Sequence, residues 1–406
     1  MDALGRTALT KDRTLTTREG RTRAGTLLSV FCVGLYAGGF GPALAFFARG
    51  TGVSLDTAGL LLTAVFGGSI LTSFCVATRL HGRDPRRLAL LGLAAIAAGT
   101  ATIGLSSEWA VVLVCAAVIG TGDGLAVSAG HTIAARAYKN VAHGVSRLNQ
   151  SFAIGAMIGP LWAGVLLQTT GELSLVFGGI AFVALLAAAI LLSAGRMEPA
   201  PERASEPVRT PPLPLPMMAI LGALLFLYVG AEIGLGSWLS AYAEEAAGAS
   251  VIGGAAITSG YWAALFLGRL VSGWRFNHGL HPRTALGLSI TGALVSSLVI
   301  AISGEAIAVA AAAAFVTGFC FGPIWPATLA LTSEGGNAAA SAAMVTIGNA
   351  GGLFLPWFQG RVLVANGPGA GVAISAILCA LMLALLLSSR LVPGRRPALA
   401  AESPAG

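Results

Sequence analysis

Charged residues are sparse in this sequence and fall in bunches, and the apolar gaps between the bunches recur twelve times at a length that crosses a lipid bilayer. A hydrocarbon core about 30 Å thick needs roughly 20 residues of helix. The gaps run from Thr26 to Phe47, Thr57 to Thr78, Leu88 to Ser107, Trp109 to Ala135, Leu148 to Gly171 and Leu173 to Ala194. After a polar break come Met217 to Ala243, Ala246 to Gly268, Thr284 to Gly304, Ala306 to Ser333, Gly335 to Gly360 and Val372 to Ser389. Only 10% of the 406 residues are charged and 55% are hydrophobic, far from the composition of a soluble domain. The runs lack the alternation of a barrel strand, so each is expected to be a helix that satisfies its own backbone hydrogen bonds in lipid. The predicted fold is an all-α membrane protein of twelve transmembrane helices in two pseudo-symmetric six-helix bundles.

The basic residues orient these spans, because Lys and Arg collect in short cytoplasmic loops. Six lie in the N-terminal tail and sixteen more follow spans 2, 4, 6, 8 and 12, so 22 of 24 fall on one face; Arg49 and Arg361 are left opposite. Both termini are therefore expected in the cytoplasm. The net charge of +7 is explained by this sorting, which removes the argument for nucleic-acid binding. The polar, basic N-terminal segment does not read as a cleavable signal peptide. Arg outnumbers Lys by 22 to 2 among many Ala and Gly residues, which points to a GC-rich bacterial genome and a multi-pass protein of the bacterial inner membrane.

Domain limits follow from the same map: a cytoplasmic tail over 1–23, a six-helix bundle over 24–194, a linker over 195–216, a second bundle over 217–391 and a tail over 392–406. The linker holds seven prolines and reads as extended and solvated. An offset of 196 or 197 superposes the halves: Gly34 and Gly38 on Gly230 and Gly234, Pro85 and Arg86 on Pro282 and Arg283, and Gly155 and Pro160 on Gly351 and Pro356. Parallel repeats of this kind place a solute site between them near the bilayer midplane, opened to each side in turn. Glycines four apart, such as Gly34 and Gly38 or Gly318 and Gly322, expose bare backbone on one helix face, serving either sliding or static packing. Pro160, Pro323 and Pro326 favour bends.

Asp123 and Glu232 are the acids well inside predicted spans. An ionised side chain there costs at least about 2.5 to 3.5 kcal/mol, so a retained acid marks a cavity or a proton relay; both are candidate proton-coupling groups. His131, toward the cytoplasmic end of span 4, is a possible relay or a packed helix-end residue. Tyr36, Asn149, Gln150, Tyr228, Trp238, Tyr261, Trp325 and Asn349 are candidate solute-binding residues, since amides bond hydroxyls and aromatic faces stack on rings. The five cysteines have no paired spacing, and there is no Walker loop, metal-ligand cluster or nucleophile–base arrangement, so no enzyme, metal or cofactor is expected.

The segments RLHGRDPRR, SRLNQSFAIGAMIGPLWAG, YVGAEIGLGSWLSAY, SGYWAALFLGRLVSG and GFCFGPIWPA carry a resemblance to the major facilitator superfamily, and within it to the fucose:proton symporter-like branch. The resemblance implies that Asp84, Arg86 and Arg87 latch a cytoplasmic gate, with Arg269 as their equivalent in the second half; the usual Gly at the start of that loop is Ala77 here. Glu232 matches the acid of the branch's span 7, whereas Asp123 stands earlier than the branch's span-4 acid. The function so implied is secondary active transport of a small organic solute by alternating access, proton-coupled, with a sugar-like or polar solute favoured, by a protein acting as a monomer. The alternative is a proton antiporter exporting a drug or metabolite, which GAMIGPLWAG supports because it approximates the antiporters' glycine–proline motif, with Ala163 in place of a Gly.

Overall fold

The computed structural model describes residues 3–80, 82–138, 140–195, 215–334 and 338–389; for residues 3–16, 142, 333–334, 338–343 and 345 it describes the backbone alone. Most of the expected 195–216 linker and the 392–406 tail lie outside the described residues. The first half comprises α1 (Ala3–Thr51), α2 (Leu55–Ala58), α3 (Leu60–Thr78), α4 (Pro85–Ile103), α5 (Trp109–Ala137), α6 (Val141–Thr170) and α7 (Leu173–Ser193). The second comprises α8 (Leu215–Ala247), α9 (Val251–Asn277), α10 (Pro282–Ile302), α11 (Ile307–Phe321), α12 (Ile324–Glu334), α13 (Ala338–Asn366) and α14 (Pro368–Ser388). Among the described residues eleven helical stretches are long and apolar enough to cross a membrane. The 29-residue α13 supplies the remaining crossing. An even number of crossings puts the start of α1 and the end of α14 on one face, called here the terminal face; the other is the far face.

Two predicted spans are broken helices. Gly59 separates α2 from α3, and the Gly322–Pro323 step separates α11 from α12, where the missing proline donor interrupts the ladder. The end of the eighth span requires a correction. The sequence places it at Gly268, with Arg269 in the following loop, but α9 continues to Asn277 and holds Arg269 inside it. The buried stripe Gly254, Thr258, Tyr261, Leu265, Gly268 and Ser272 carries helical spacing straight past that charge.

Lipid removes the hydrophobic drive between apolar helices, so their association rests on close packing. The glycines supply it. A Cβ on Gly34 or Gly155 would collide with backbone of the facing α6 or α1, and one on Gly351 with Phe226 of α8. Gly318 and Gly268 likewise join α11 to α9, and Gly120 joins α5 to α3. Thus α1 on α6 is repeated as α8 on α13, and α3 on α5 as α9 on α11. These seams lie within a half, so the glycine pairs make rigid bundles rather than the sliding surface between them.

The repeat extends to helix ends. Asp84 caps α4 by accepting from the Arg86 backbone N–H at 3.0 Å, and His281 caps α10 by accepting from the Arg283 N–H at 3.2 Å. The Arg86 side chain donates to the Leu191 and Leu192 carbonyls at the end of α7, and Arg283 does the same to Leu386 and the Ser389 hydroxyl after α14.

The halves meet from mid-depth to the far face. Thr63 donates to the Leu353 carbonyl at 2.7 Å, the Leu161 backbone N–H to Ser259 Oγ at 3.2 Å, and the Ile252 N–H to Gln168 at 2.9 Å. At the far face Arg361 of α13 forms a 2.7 Å ion pair with the buried Asp56 of α2. Trp238 of α8 is packed within the core of the first half, and Ala156 of α6 within that of the second. Among the described residues near the terminal face the hydrogen bonds run within a half, as Arg86 to Leu191 and Arg283 to Leu386 illustrate.

Candidate functional site

Glu232 stands 17 residues into the 33-residue α8, close to the middle of its crossing. Its carboxylate receives a hydrogen bond from the Arg269 guanidinium at 2.9 Å, and only 8% of the Glu232 side chain and 24% of the Arg269 side chain are exposed. Two charges in lipid are tolerable when each is the other's counterion. Tyr228, one helical turn before Glu232, lies against both partners. Tyr261 of α9 donates its hydroxyl to the Glu232 backbone carbonyl at 2.9 Å, holding α9 on α8 at this level. Arg269 Nε–H and the Tyr228 hydroxyl are buried without a hydrogen-bond partner.

Asp123 occupies the middle of α5, with Tyr36 of α1 and Ser69 of α3 beside its carboxyl. One carboxyl oxygen, Oδ1, is buried and has no partner. The 196-residue offset maps Tyr36 onto Glu232, so the equivalent position of the two repeats carries a phenol next to an acid in one half and the acid itself in the other.

The remaining expected solute residues separate into two groups and a lone tryptophan. Tyr228 packs edge-on to Phe321, with Trp325 at a centroid distance of 6.3 Å, and Trp325 covers Gly348 of α13, one residue from the half-buried Asn349. Tyr228 links this cluster to the Glu232–Arg269 pair. Asn149 is exposed, and Gln150 donates to Ser146 of its own helix at 3.3 Å, both within ten residues of the terminal end of α6. Trp238 is fully buried toward the far face, where its indole N–H donates to the Pro356 carbonyl at 2.7 Å and its ring fills the space between Gly59 and Gly360. His131 is exposed and bonds the Val127 carbonyl one turn earlier in its own helix.

Of the expected gate residues, Asp84 and Arg87 form an exposed 3.8 Å pair with each other, and Arg86 pins α4 to α7. These three stay within the first half in this conformation. Arg269 is placed apart from them, in the interior with Glu232, so its expected place at the terminal face is corrected: the neighbouring acid removes the penalty that would otherwise keep a charge out of the span. Asp56 and Arg361 were not foreseen as partners. The sequence sign was that Arg361 is one of two basic residues on the acid-rich face. The other, Arg49, is within electrostatic range of Glu244 of α8, again across the two halves, without an ion pair between them. Among the described residues no group of three or more His, Cys, Asp or Glu side chains is arranged to hold a metal ion.

The fold built from these elements is shared with solved transporters. The structure of a mutant of the nucleoside transporter NupG superposes with a TM-score of 0.71 at 12% identity, covering 92% of this chain and 99% of that one. A peptide transporter POT in complex with sulfate gives 0.69 at 17% identity, covering 92% and 94%. The transporter FucP in the outward conformation gives 0.61 at 17%, covering 92% and 99%. No curated protein matches the sequence significantly. The sequence profile described as Major Facilitator Superfamily matches residues 26–356. The chain belongs to that superfamily and is a multi-pass membrane transporter of the secondary kind, not an enzyme.

Proposed function

We propose that the protein carries a small polar organic solute across the bacterial inner membrane by proton-coupled alternating access, working as a monomer with both termini in the cytoplasm. The observation that carries this reading is the Glu232–Arg269 pair, a proton-binding group held against a cation at mid-depth and next to buried, unpartnered donors. Asp123 with Tyr36 is the second proton-handling group, on the opposite half. Tyr228, Tyr261, Trp325 and Asn349 surround the solute, whereas Asn149 and Gln150 lie on its path from the terminal face. Ties concentrated from mid-depth to the far face support a conformation open toward the cytoplasm, with Asp56 and Arg361 closing the other side. In the opposite state Asp84, Arg86 and Arg87 would close the terminal face.

Glu232→Gln tests the reading in proteoliposomes. Proton-driven accumulation should vanish while solute exchange partly survives; full accumulation by the variant would overturn the role of Glu232. The antiport alternative rests on GAMIGPLWAG, whose Pro160 adjoins the contact of Leu161 with Ser259 between the halves. Adding solute outside vesicles should make the medium more alkaline for symport and more acidic for antiport.

A further inference from the structure

The charges at the centre restrict the solute more sharply than its polarity does. Arg269 faces Glu232 and Tyr228 from α8 and Tyr261 from its own helix; α14 brings Cys379 toward Tyr261, and α11 packs against α9 through Gly318 and Gly322. On α13, Gln359 and Leu355 face the glycines of α8. Asp123 is engaged with Tyr36 and Ser69 in the other half. Among the described residues, then, the counter-charge in contact with Arg269 is Glu232.

We propose that the solute is an organic anion whose carboxylate replaces Glu232 on Arg269 when Glu232 takes up a proton. This deepens the proton-coupled reading above and rests on it. With Glu232 ionised the pair is neutral. Protonation alone leaves a guanidinium in the membrane interior with no counterion, a high-energy state that a neutral solute such as an unmodified sugar does nothing to relieve. An anion restores neutrality, so proton and solute each make the other's binding favourable. The geometry fits an incoming carboxylate: Arg269 Nε–H and the Tyr228 hydroxyl are two buried donors beside the pair that form no well-directed hydrogen bond within it, and a planar fork meets a carboxylate with two bonds. Trp325 and Phe321 flank Tyr228 and give the organic part of the solute an apolar seat.

Thermal melting of the purified full-length protein tests this with matched probes, benzoate against benzamide and gluconate against sorbitol. Wild type should be stabilised by at least one of the carboxylates and not by its neutral counterpart, with apparent affinity about tenfold higher at pH 5.5 than at pH 8, because protonation of Glu232 vacates Arg269. Glu232→Gln should bind the carboxylate equally at both pH values, and Arg269→Gln should lose the shift. Equal shifts with neutral probes, or no carboxylate shift in Glu232→Gln, would overturn the proposal. If that variant does not fold, wild type decides: a shift that is absent, or unchanged between the two pH values, is the contrary result. Melting does not require transport, so intact carboxylate binding with failed proton coupling would refute the transport reading alone. Intact coupling without carboxylate binding would refute the anion alone.

Discussion

Removing one member of a buried ion pair strands the other, so Arg269→Met should destabilise the protein by about 3 kcal/mol, whereas the double variant Glu232→Gln with Arg269→Met should regain most of the loss. Melting temperatures of the three proteins check this; a double variant no better than the single one would mean that Arg269 supports the fold through contacts other than Glu232. The two acids were legible from sequence because a carboxyl in the middle of an apolar run stands out against so few charges. Arg269 was not. It directly follows an apolar stretch, where an arginine has the appearance of a loop charge, and its partner lies 37 residues away on another helix. The sign that was present is the run of buried small and aromatic residues continuing to Ser272. Trp238 was misleading in the other direction: an aromatic on a pore-bearing helix invited a solute role, yet its indole is bonded to Pro356 and its ring packs against glycines.

Helix seams built on glycine make position-specific predictions. Gly120→Val should cost at least about 2 kcal/mol, because a Cβ there meets the Val65 backbone and neither helix can withdraw without opening the seam. Gly260→Ala, which meets nothing within 4 Å on α9, should be neutral or stabilising by about 0.5–1 kcal/mol. Folded yield and melting temperature distinguish the two, and a tolerated Gly120→Val would show that α3 and α5 are looser than their contacts imply. At this scale the crossings were readable from hydropathy, the Pro323 break from proline chemistry, and the repeat from loop punctuation. Which face each glycine pair serves was not readable, because spacing four apart exposes backbone equally to a neighbour in the same half or in the other.

For the whole molecule, the far-face ties define what has to break when the transporter turns over. Arg361→Ala or Asp56→Asn should shift the population toward the state open on that face. Spin labels at Thr170 and Glu245, both near far-face helix ends, should then move apart; an unchanged distance distribution would show that Trp238 and the polar contacts at Leu161 and Ile252 suffice to hold the closure. Rigid seams inside each half and few polar ties between halves fit two bodies moving about a shared mid-plane. Even the exceptions to charge sorting belong to this design, since Arg361 is ion-paired with an acid of the other half and Arg49 is within electrostatic range of one.

The cancelled charges at the centre also bear on energy supply. Membrane voltage does work only on charge carried across it, about 2.3 kcal/mol per elementary charge for each 100 mV. An arginine matched in one state by a glutamate and in the other by a bound anion gives voltage nothing to pull. With Glu232 carrying the one proton that travels with a monoanion, transport should respond to an imposed proton concentration difference and ignore a potassium diffusion potential set by valinomycin. A rate that tracks the diffusion potential would mean that unbalanced charge moves, as it does when Asp123 carries a second proton across.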